Sequence, residues 1–490
     1  MRLFLLLTTL LLAPVAAAAA GQAGRATESA APDTPAYYFL LARHLESIGR
    51  VDEAVKAHNR AIALDPGSAE LRAELAGFYA RQDNAVEAVA HAEAAIARDA
   101  SNQEANRILG TVYAAFAERR LPVRKGDDPA TYPDRAIAAL ERARGEGTDP
   151  GLDLVLGRLY VQTKNFAKAV PVLSRVVESQ PSLVDAAILL STAQEGAGEP
   201  EQAIATLQKA LAENGGSFRA QMRLAEIYEA DEQWNEAANA FARAQTLNPR
   251  APMIARRRAV ALLSAGRAAE SRDLLQATIA SGRPDAKDPV LLYLLAESQR
   301  VVKDLDAAQA TAQALIAANP EDVRGLHVLS LILQDKGDIK GAERALRDLI
   351  ARDPMDATAL NSLGYMLAEQ SEPLAEQSEP LGERRDRLDE AVSLLQRALK
   401  IEPGNPSYLD SLGWAYFQQG RLDLADAPLT EAADKLKDNS VVQDHLGDLR
   451  FKQRRFADAA MAWERALGGD GQSIDKAKIE SKIREARGRM

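Results

Sequence analysis

The sequence contains no cysteine among its 490 residues. That absence excludes disulfides, thiolate metal sites and a cysteine nucleophile. It also removes the residue that a bacterial lipoprotein modifies after its signal. Aromatic residues are scarce as well, at 5%, whereas β-sheets favour aromatic and β-branched side chains. The composition therefore favours helices that pack closely through small residues.

An excess of positive charge is lacking too, because 70 acidic residues outnumber 60 basic ones and the net charge is −10 at pH 7. Nucleic-acid binding relies on a basic field, so we expect no nucleic-acid partner. Acidity of this degree mainly favours solubility.

The sequence also lacks a recognisable catalytic or metal-binding constellation. It shows neither a glycine-rich phosphate loop after a strand nor a serine nucleophile in a rigid turn. The few histidines do not form a zinc-binding pair at helical spacing; they are His44, His58, His91, His327 and His445. His58 is expected in the core, and His445 on a solvated face beside Asp444 and Asp448. The prediction is a protein without metal, cofactor or enzymatic activity.

The amino terminus has the composition of an export signal. Arg2 precedes an apolar run from Leu3 to Leu12, then Pro14 and the small residues Ala16 to Ala20. We predict a signal peptide over 1–20 and a flexible lead-in over 21–34. The alternative is a retained membrane anchor, but the run is short for a bilayer span. A soluble periplasmic protein without an integral membrane segment after cleavage is therefore expected.

The rest of the chain repeats with a period of 34 residues. In the copy from Pro35 to Ser68, Leu41 and Ala42 form a large–small pair at positions 7 and 8, Ala54 lies at position 20 and Pro66 at position 32. Small residues recur at position 8 in every copy; they are Ala42, Ala76, Gly110, Gly157, Ser191, Ala225, Ala259, Ala296, Ser330, Gly364, Gly413 and Gly447. Close crossing of two helices explains both small positions. Glycines such as Gly49 and Gly420 are expected to end the first helix in the left-handed conformation.

This pattern resembles the tetratricopeptide repeat (TPR) family. The resemblance implies an all-α solenoid, a right-handed superhelix of about twelve helix-turn-helix repeats. We place repeats 1–7 over 35–284 and repeats 8–12 over 285–471. Inserts are expected at about 119–133 and 369–387, and a bend near Gly282 to Asp288. A basic capping helix should occupy 472–490, with Ile474, Ala477, Ile479 and Ile483 against the last repeat.

The family also implies a concave groove lined by positions 2, 5, 9 and 12 of each first helix. In repeats 6 and 7 this stripe is partly basic, with adaptable methionines nearby; its candidate partner-binding residues are Arg219, Arg223, Arg256 and Arg257. In repeats 10–12 it combines aromatic rings with polar groups, at Asn361, Tyr365, Asp410, Trp414, Phe417, Asp444 and Asp448. These side chains suit an extended or helical peptide, or a sugar against a ring. The alternative is that the aromatic residues only pack against neighbouring helices.

The predicted function is a non-catalytic scaffold of the bacterial cell envelope that binds peptide segments of other proteins in its groove. Envelope biogenesis, secretion and polysaccharide export are the candidate settings. A component that binds the polysaccharide directly is the alternative. The groove lacks the lysine–asparagine–lysine set with which some TPR proteins clamp a carboxyl terminus.

Overall fold

The computed structural model describes residues 33–145, 149–251, 253–282, 284–370, 381–471 and 474–490. The predicted signal peptide, most of the lead-in and residues 371–380 of the second insert lie outside these ranges. Across the described ranges every regular element is a helix, with 25 α-helices and two short 3-10 turns, which confirms the all-α prediction. None of these helices is long and apolar enough to cross a membrane.

The chain divides into two compact units, residues 1–198 and 199–490. The first contains α1 (Pro35–Ser47), α2 (Val51–Leu64), α3 (Ala69–Arg81), α4 (Ala85–Ile96), α5 (Gln103–Arg119), a 3-10 turn (Pro129–Thr131), α6 (Tyr132–Ala143), α7 (Pro150–Gln162), α8 (Phe166–Ser179) and α9 (Val184–Gly196). Each α-helix of this unit packs against the next one along the chain. The arrangement is that of stacked helical hairpins.

The second unit contains α10 (Pro200–Glu213), α11 (Phe218–Ala230), α12 (Trp234–Leu247), α13 (Ile254–Ser264), α14 (Ala268–Ala280), a 3-10 turn (Pro284–Lys287), α15 (Pro289–Val301), α16 (Leu305–Ala318), α17 (Arg324–Asp335) and α18 (Ile339–Arg352). It continues with α19 (Ala357–Glu369), α20 (Leu381–Ile401), α21 (Pro406–Gln418), α22 (Leu422–Lys435), α23 (Ser440–Lys452), α24 (Phe456–Gly468) and α25 (Lys476–Arg487). In sequence order the first 24 α-helices correspond to the twelve repeats, and α25 to the cap. The expected bend near Gly282 stays a prediction.

Local signals explain where these helices begin and end. The side chains of Ser68, Asn102 and Asp356 each accept a hydrogen bond from a backbone N–H of the first turn that follows, at 2.8–3.1 Å. Gly49 and Gly420, after the first helices of repeats 1 and 11, have φ of 76° and 75°. A side chain would be strained in this left-handed conformation, so the predicted role of these glycines is confirmed.

The helices of a repeat cross closely at position 8. A Cβ atom added to Gly364 would lie 2.6 Å from the Cγ atom of Leu395, which is too close for any real contact. Gly447 meets Trp463 in the same way. Glycine at position 8 therefore makes room for a large side chain of the second helix. That side chain lies four residues after the alanine at position 20, as close packing requires.

The first insert is folded against its own repeat and against the repeat before it. The Tyr132 hydroxyl accepts a hydrogen bond from the Val123 amide and donates one to Asp127, each at 2.8 Å. Arg124 reaches back to both carboxylate oxygens of Glu93 on α4 at 2.9 Å. Helices α5 and α6 still pack on each other. At the second insert α20 already begins at Leu381, so part of the predicted loop is helical.

The capping helix α25 covers the last repeat, but not with all the expected residues. Ile479, Ile483 and Ala486 are buried against a cluster that includes Trp463. Ala477 is exposed, so its predicted contact is wrong. The helix starts only at Lys476, and its phase turns Ala486 instead of Ala477 toward the core.

Candidate functional site

Two neighbouring pockets open on the first helices of the last repeats, all within the second compact unit. The larger, which we call the acidic pocket, has a volume of about 610 Å³ and lies across α17, α19, α21 and α23. The smaller, the aromatic pocket, has about 550 Å³ and lies between α21, α23, α24 and α25. Pockets of this size are large enough for side chains of a partner or for a small ligand.

The acidic pocket brings together three of the predicted residues, Asn361, Tyr365 and Asp410. Glu369 adds a second carboxylate to its wall. Inner-stripe positions 5 and 9 thus do share one cavity, as their helical spacing indicates. The Oδ1 atom of Asn361 is buried and has no hydrogen-bond partner among the described residues.

A chain of polar contacts separates the two pockets. The indole N–H of Trp414 donates a hydrogen bond to Glu369 at 2.7 Å. The Trp414 ring stacks on His445 with 4.0 Å between centroids. Nδ1 of His445 lies 3.0 Å from both carboxylate oxygens of Asp410. Trp414 faces the aromatic pocket, while Glu369 and Asp410 face the acidic one, so these contacts form the wall between them.

His445 is buried rather than part of a solvated face, so that prediction is wrong. The residue is only 6% exposed. Burial by itself would lower the pKa of the imidazole, but the charge of Asp410 and its hydrogen bond outweigh burial and raise that pKa. Glu369 and Asp444 add to the upward shift. The raised pKa favours the protonated form of the ring, which stacks on the face of Trp414.

Trp414 and Asp410 are buried too, and not on an open groove face as predicted. Trp414 is 3% exposed and also stacks on Phe417, with centroids 4.9 Å apart. These contacts are the packing that the sequence left as the alternative. Partner binding at these two residues stays a prediction. It would involve only those side-chain atoms of Trp414 and Asp410 that line the pockets.

The aromatic pocket contains the predicted residues Trp414, Phe417 and Asp448. Lys482 of the capping helix enters its wall and places its ammonium 2.7 Å from both Asp444 and Asp448. Burial raises the pKa of Asp448, while Lys482 opposes that rise. Burial disfavours the charge of Lys482, but Asp448 and Asp444 outweigh it and raise the pKa of the ammonium. One positive charge from within the chain thus offsets part of the charge of the predicted acidic pair.

The basic residues of repeats 6 and 7 lie on α11 and α13, outside the walls of these two pockets. Arg257 forms ion pairs with Glu226 and Glu229 and covers the Phe241 ring at 4.8 Å. Arg256 lies 3.6 Å from Asp288, and Arg223 lies 3.8 Å from Glu226. Arg219 is exposed. The expected basic stripe is therefore largely paired with carboxylates, and its role in partner binding stays a prediction.

Sequence reasoning missed Glu369 and Lys482. Glu369 falls at position 13, outside the groove stripe, and contacts Trp414 across 45 residues of sequence. Lys482 lies in the cap, where we expected a solvating role for basic residues. The aspartates at 444 and 448 were one available signal. They lie one helical turn apart, and two carboxylates at this spacing repel each other unless a cation lies nearby. The described residues contain no cluster of three or more histidine or acidic ligands placed to bind a metal.

Comparison with known proteins agrees with the repeat pattern. Models of the tetratricopeptide repeat match residues 35–78, 195–249, and the ranges 133–184, 228–289, 327–376 and 383–440. Together these ranges cover more than half of the chain. A TPR repeat-containing protein of Pseudomonas aeruginosa is 32% identical over 188 residues, which are 38% of this chain and 29% of that protein. The chain thus aligns with less than a third of the relative's length.

Solved structures of helical repeat proteins resemble the chain at low identity. Yeast Tom70 is 13% identical, with 93% of this chain and 96% of that chain covered and a TM-score of 0.43. A tetratricopeptide repeat protein from Parabacteroides merdae is also 13% identical, with 55% and 98% covered and a TM-score of 0.41. With its helical hairpins and its matched repeats, the chain belongs to the tetratricopeptide repeat family.

Proposed function

We propose that the chain is a non-catalytic scaffold of the bacterial cell envelope that binds a protein partner along the first helices of repeats 9–12. The observation that carries this proposal is the acidic pocket, which is open, spans four successive first helices and combines polar with apolar walls. An extended or helical segment could contact several repeats at once there.

The geometry favours a protein partner over the polysaccharide alternative. A sugar that binds through stacking needs an open aromatic face. The face of Trp414, which suggested that alternative, is covered by His445 and Phe417. The acidic pocket instead has room for a peptide segment beside serine, asparagine and carboxylate groups.

The envelope setting is supported by the leader-like residues 1–20 and by the absence of cysteine. Fractionation of the native host, with mass spectrometry of the mature amino terminus, tests it. We expect a periplasmic protein cleaved near Ala18 or Ala20. An intact leader on a protein that stays in the cytoplasm would overturn the envelope part of the proposal.

Photo-crosslinking in the native host tests the site itself. A photoreactive amino acid replaces Ser362 on the wall of the acidic pocket, and in a matched control it replaces exposed Glu431 on α22. We expect a discrete crosslinked protein from position 362 that is absent from position 431. Equal products from both positions, or products only from the control, would contradict the assigned site. A product whose added mass is carbohydrate would support the polysaccharide alternative instead.

A further inference from the structure

We infer that the acidic pocket accepts a lysine or arginine side chain of the bound segment. This inference rests on the proposed function, since it names the chemistry of the partner at the same site. It is carried by three observations: the charge of the pocket walls, a lysine of the chain that already binds the next pair of carboxylates, and the apolar lining.

The walls of the acidic pocket carry negative charge without a balancing lysine or arginine. Glu369 and Asp410 are the acidic residues among its described lining. Glu369 uses Oε1 to accept the Trp414 hydrogen bond, and its residue is exposed. Its exposure makes the carboxylate accessible to a donor from outside the chain. Both carboxylate oxygens of Asp410 lie 3.0 Å from Nδ1 of His445, but each oxygen has a further lone pair for another donor.

The chain itself shows how this face binds a cation. One repeat further on, Asp444 and Asp448 of α23 hold the ammonium group of Lys482 at 2.7 Å each. Lys482 comes from α25, a helix that follows the repeats. Lys482 therefore binds the two carboxylates of repeat 12 in the way that a basic side chain of a partner would. In repeat 11 Asp410 lies at the same position as Asp444, and Glu369, from position 13 of repeat 10, joins it in the wall of the acidic pocket, whose lining includes no residue of the cap.

The apolar part of the lining suits the stem of a long basic side chain. Leu331, Met366 and Val441 contribute to the same pocket as the two carboxylates. Lysine and arginine bury their methylene groups on such surfaces while the charged end binds polar groups. A glutamate side chain of the partner in the same place would be repelled by the two carboxylates of the pocket.

The aromatic pocket provides an internal contrast. Its lining includes Arg384, Lys452 and Lys482, which outnumber Asp448 and Glu485. It therefore offers a basic side chain no excess of carboxylates, unlike the acidic pocket. This charge difference fixes where along the groove the basic residue of the partner binds.

Selection of random 12-residue peptides displayed on phage, with the full chain as the target, tests the inference. We expect the groove-dependent binders to be enriched in lysine or arginine. A synthetic binder and its analogue with norleucine in place of the lysine are then compared by titration. Norleucine keeps the stem and removes the charge. We expect about a three- to tenfold weaker affinity for the analogue, as for a partly exposed ion pair.

Variants of the chain assign the effect to a residue. Glu369→Gln keeps the acceptor for Trp414 but removes the charge, and it should reduce the preference for lysine over norleucine to near unity. Glu431→Gln, which removes an exposed charge outside the pocket, should leave the preference unchanged. A preference that survives Glu369→Gln, or binders without basic enrichment, would overturn the inference.

Failure of the proposed function gives a different result. Ser362→Trp fills the acidic pocket without changing its charge. If binders of any composition are lost in this variant, the groove is the binding site, and only the basic preference is in question. If binders are unaffected by Ser362→Trp, the site assigned under the proposed function is wrong.

Discussion

Two buried histidines, His58 in repeat 1 and His445 in repeat 12, have opposite electrostatic environments. His58 is 1% exposed, and neither of its ring nitrogens has a hydrogen-bond partner in the described structure. It packs between Phe39 and Phe78, at 6.4 and 5.6 Å between ring centroids, and burial lowers its pKa to about 4. His445 has the carboxylate of Asp410 beside it, and its pKa is raised.

The difference follows from position within the repeat. His58 lies at position 24 of its repeat, where the second helix packs on the first, so the ring serves as an apolar filler. His445 lies on the first helix, where the preceding repeat can place a carboxylate next to it. Burial acts on both rings, and the acid that the preceding repeat places beside His445 is what makes its pKa shift opposite to that of His58.

Opposite shifts imply opposite responses to pH. The pKa of His58 is lower in the folded chain than the usual 6.5, so the unfolded chain binds more protons, and stability near repeat 1 falls as pH decreases from about 6.5 to 4. The pKa of His445 is raised, so its contribution is complete below about pH 6.5 and is lost as pH rises through the folded value.

Removing Asp410, the acid beside His445, should have the largest effect on local stability. In Asp410→Leu the imidazole must stay buried without its counter-ion, and we expect a loss of about 3 kcal/mol in local stability. Hydrogen exchange of the α21 and α23 amides measures it. The double variant Asp410→Leu/His445→Phe should recover part of the loss, since no charge then remains unpaired. Equal protection in Asp410→Leu and the parent chain would show that the pair is not a source of stability.

Acidification should have the next largest effect, and with opposite sign in the two regions. Between pH 7.5 and 5 we expect helices α1–α3 to lose about 2 kcal/mol of protection through protonation of His58. Protection of α21 and α23 should be kept or increased. Protection factors from hydrogen exchange at the two pH values, corrected for the intrinsic rates, give the comparison.

A His58→Leu variant is the control for that experiment. It fills the same core position without a titratable group, so the loss in α1–α3 between pH 7.5 and 5 should largely disappear. A loss of the same size in His58→Leu would assign the acid sensitivity to other groups.

Loss of the cap lysine should have the smallest effect. In Lys482→Met the stem still packs, but Asp444 and Asp448 repel each other without a cation, and we expect a loss of about 1–2 kcal/mol at α23 and α25. The loss should shrink at pH 4, where burial has raised the pKa of Asp448 and favours its protonation. Thermal unfolding at pH 7 and pH 4 tests this, with exposed Lys435→Met as the comparison.

The repeat pattern predicted backbone features better than side-chain partners. Positions 8 and 20 and the turn glycines follow from contacts within one repeat, and Gly364, Gly447 and Gly49 behave as expected. The partners of Trp414 and His445 lie 45 and 35 residues away, on helices whose rotation the repeat period does not specify. Ala477 and Ala486 lie on opposite sides of α25, so the side that faces the last repeat includes only one of them.

The close meeting of Gly447 and Trp463 has a consequence for how such an array evolves. Repeats can multiply by tandem duplication, and a breakpoint in the turn inside a repeat would join the first helix of one copy to the second helix of another. An alanine-bearing first helix placed before the Trp463 helix would drive its methyl group into the indole ring, as the space at Gly447 shows. Recombination that keeps both helices of a repeat together preserves the fit between glycine and tryptophan. The whole hairpin is therefore the unit that can be duplicated without loss of this packing.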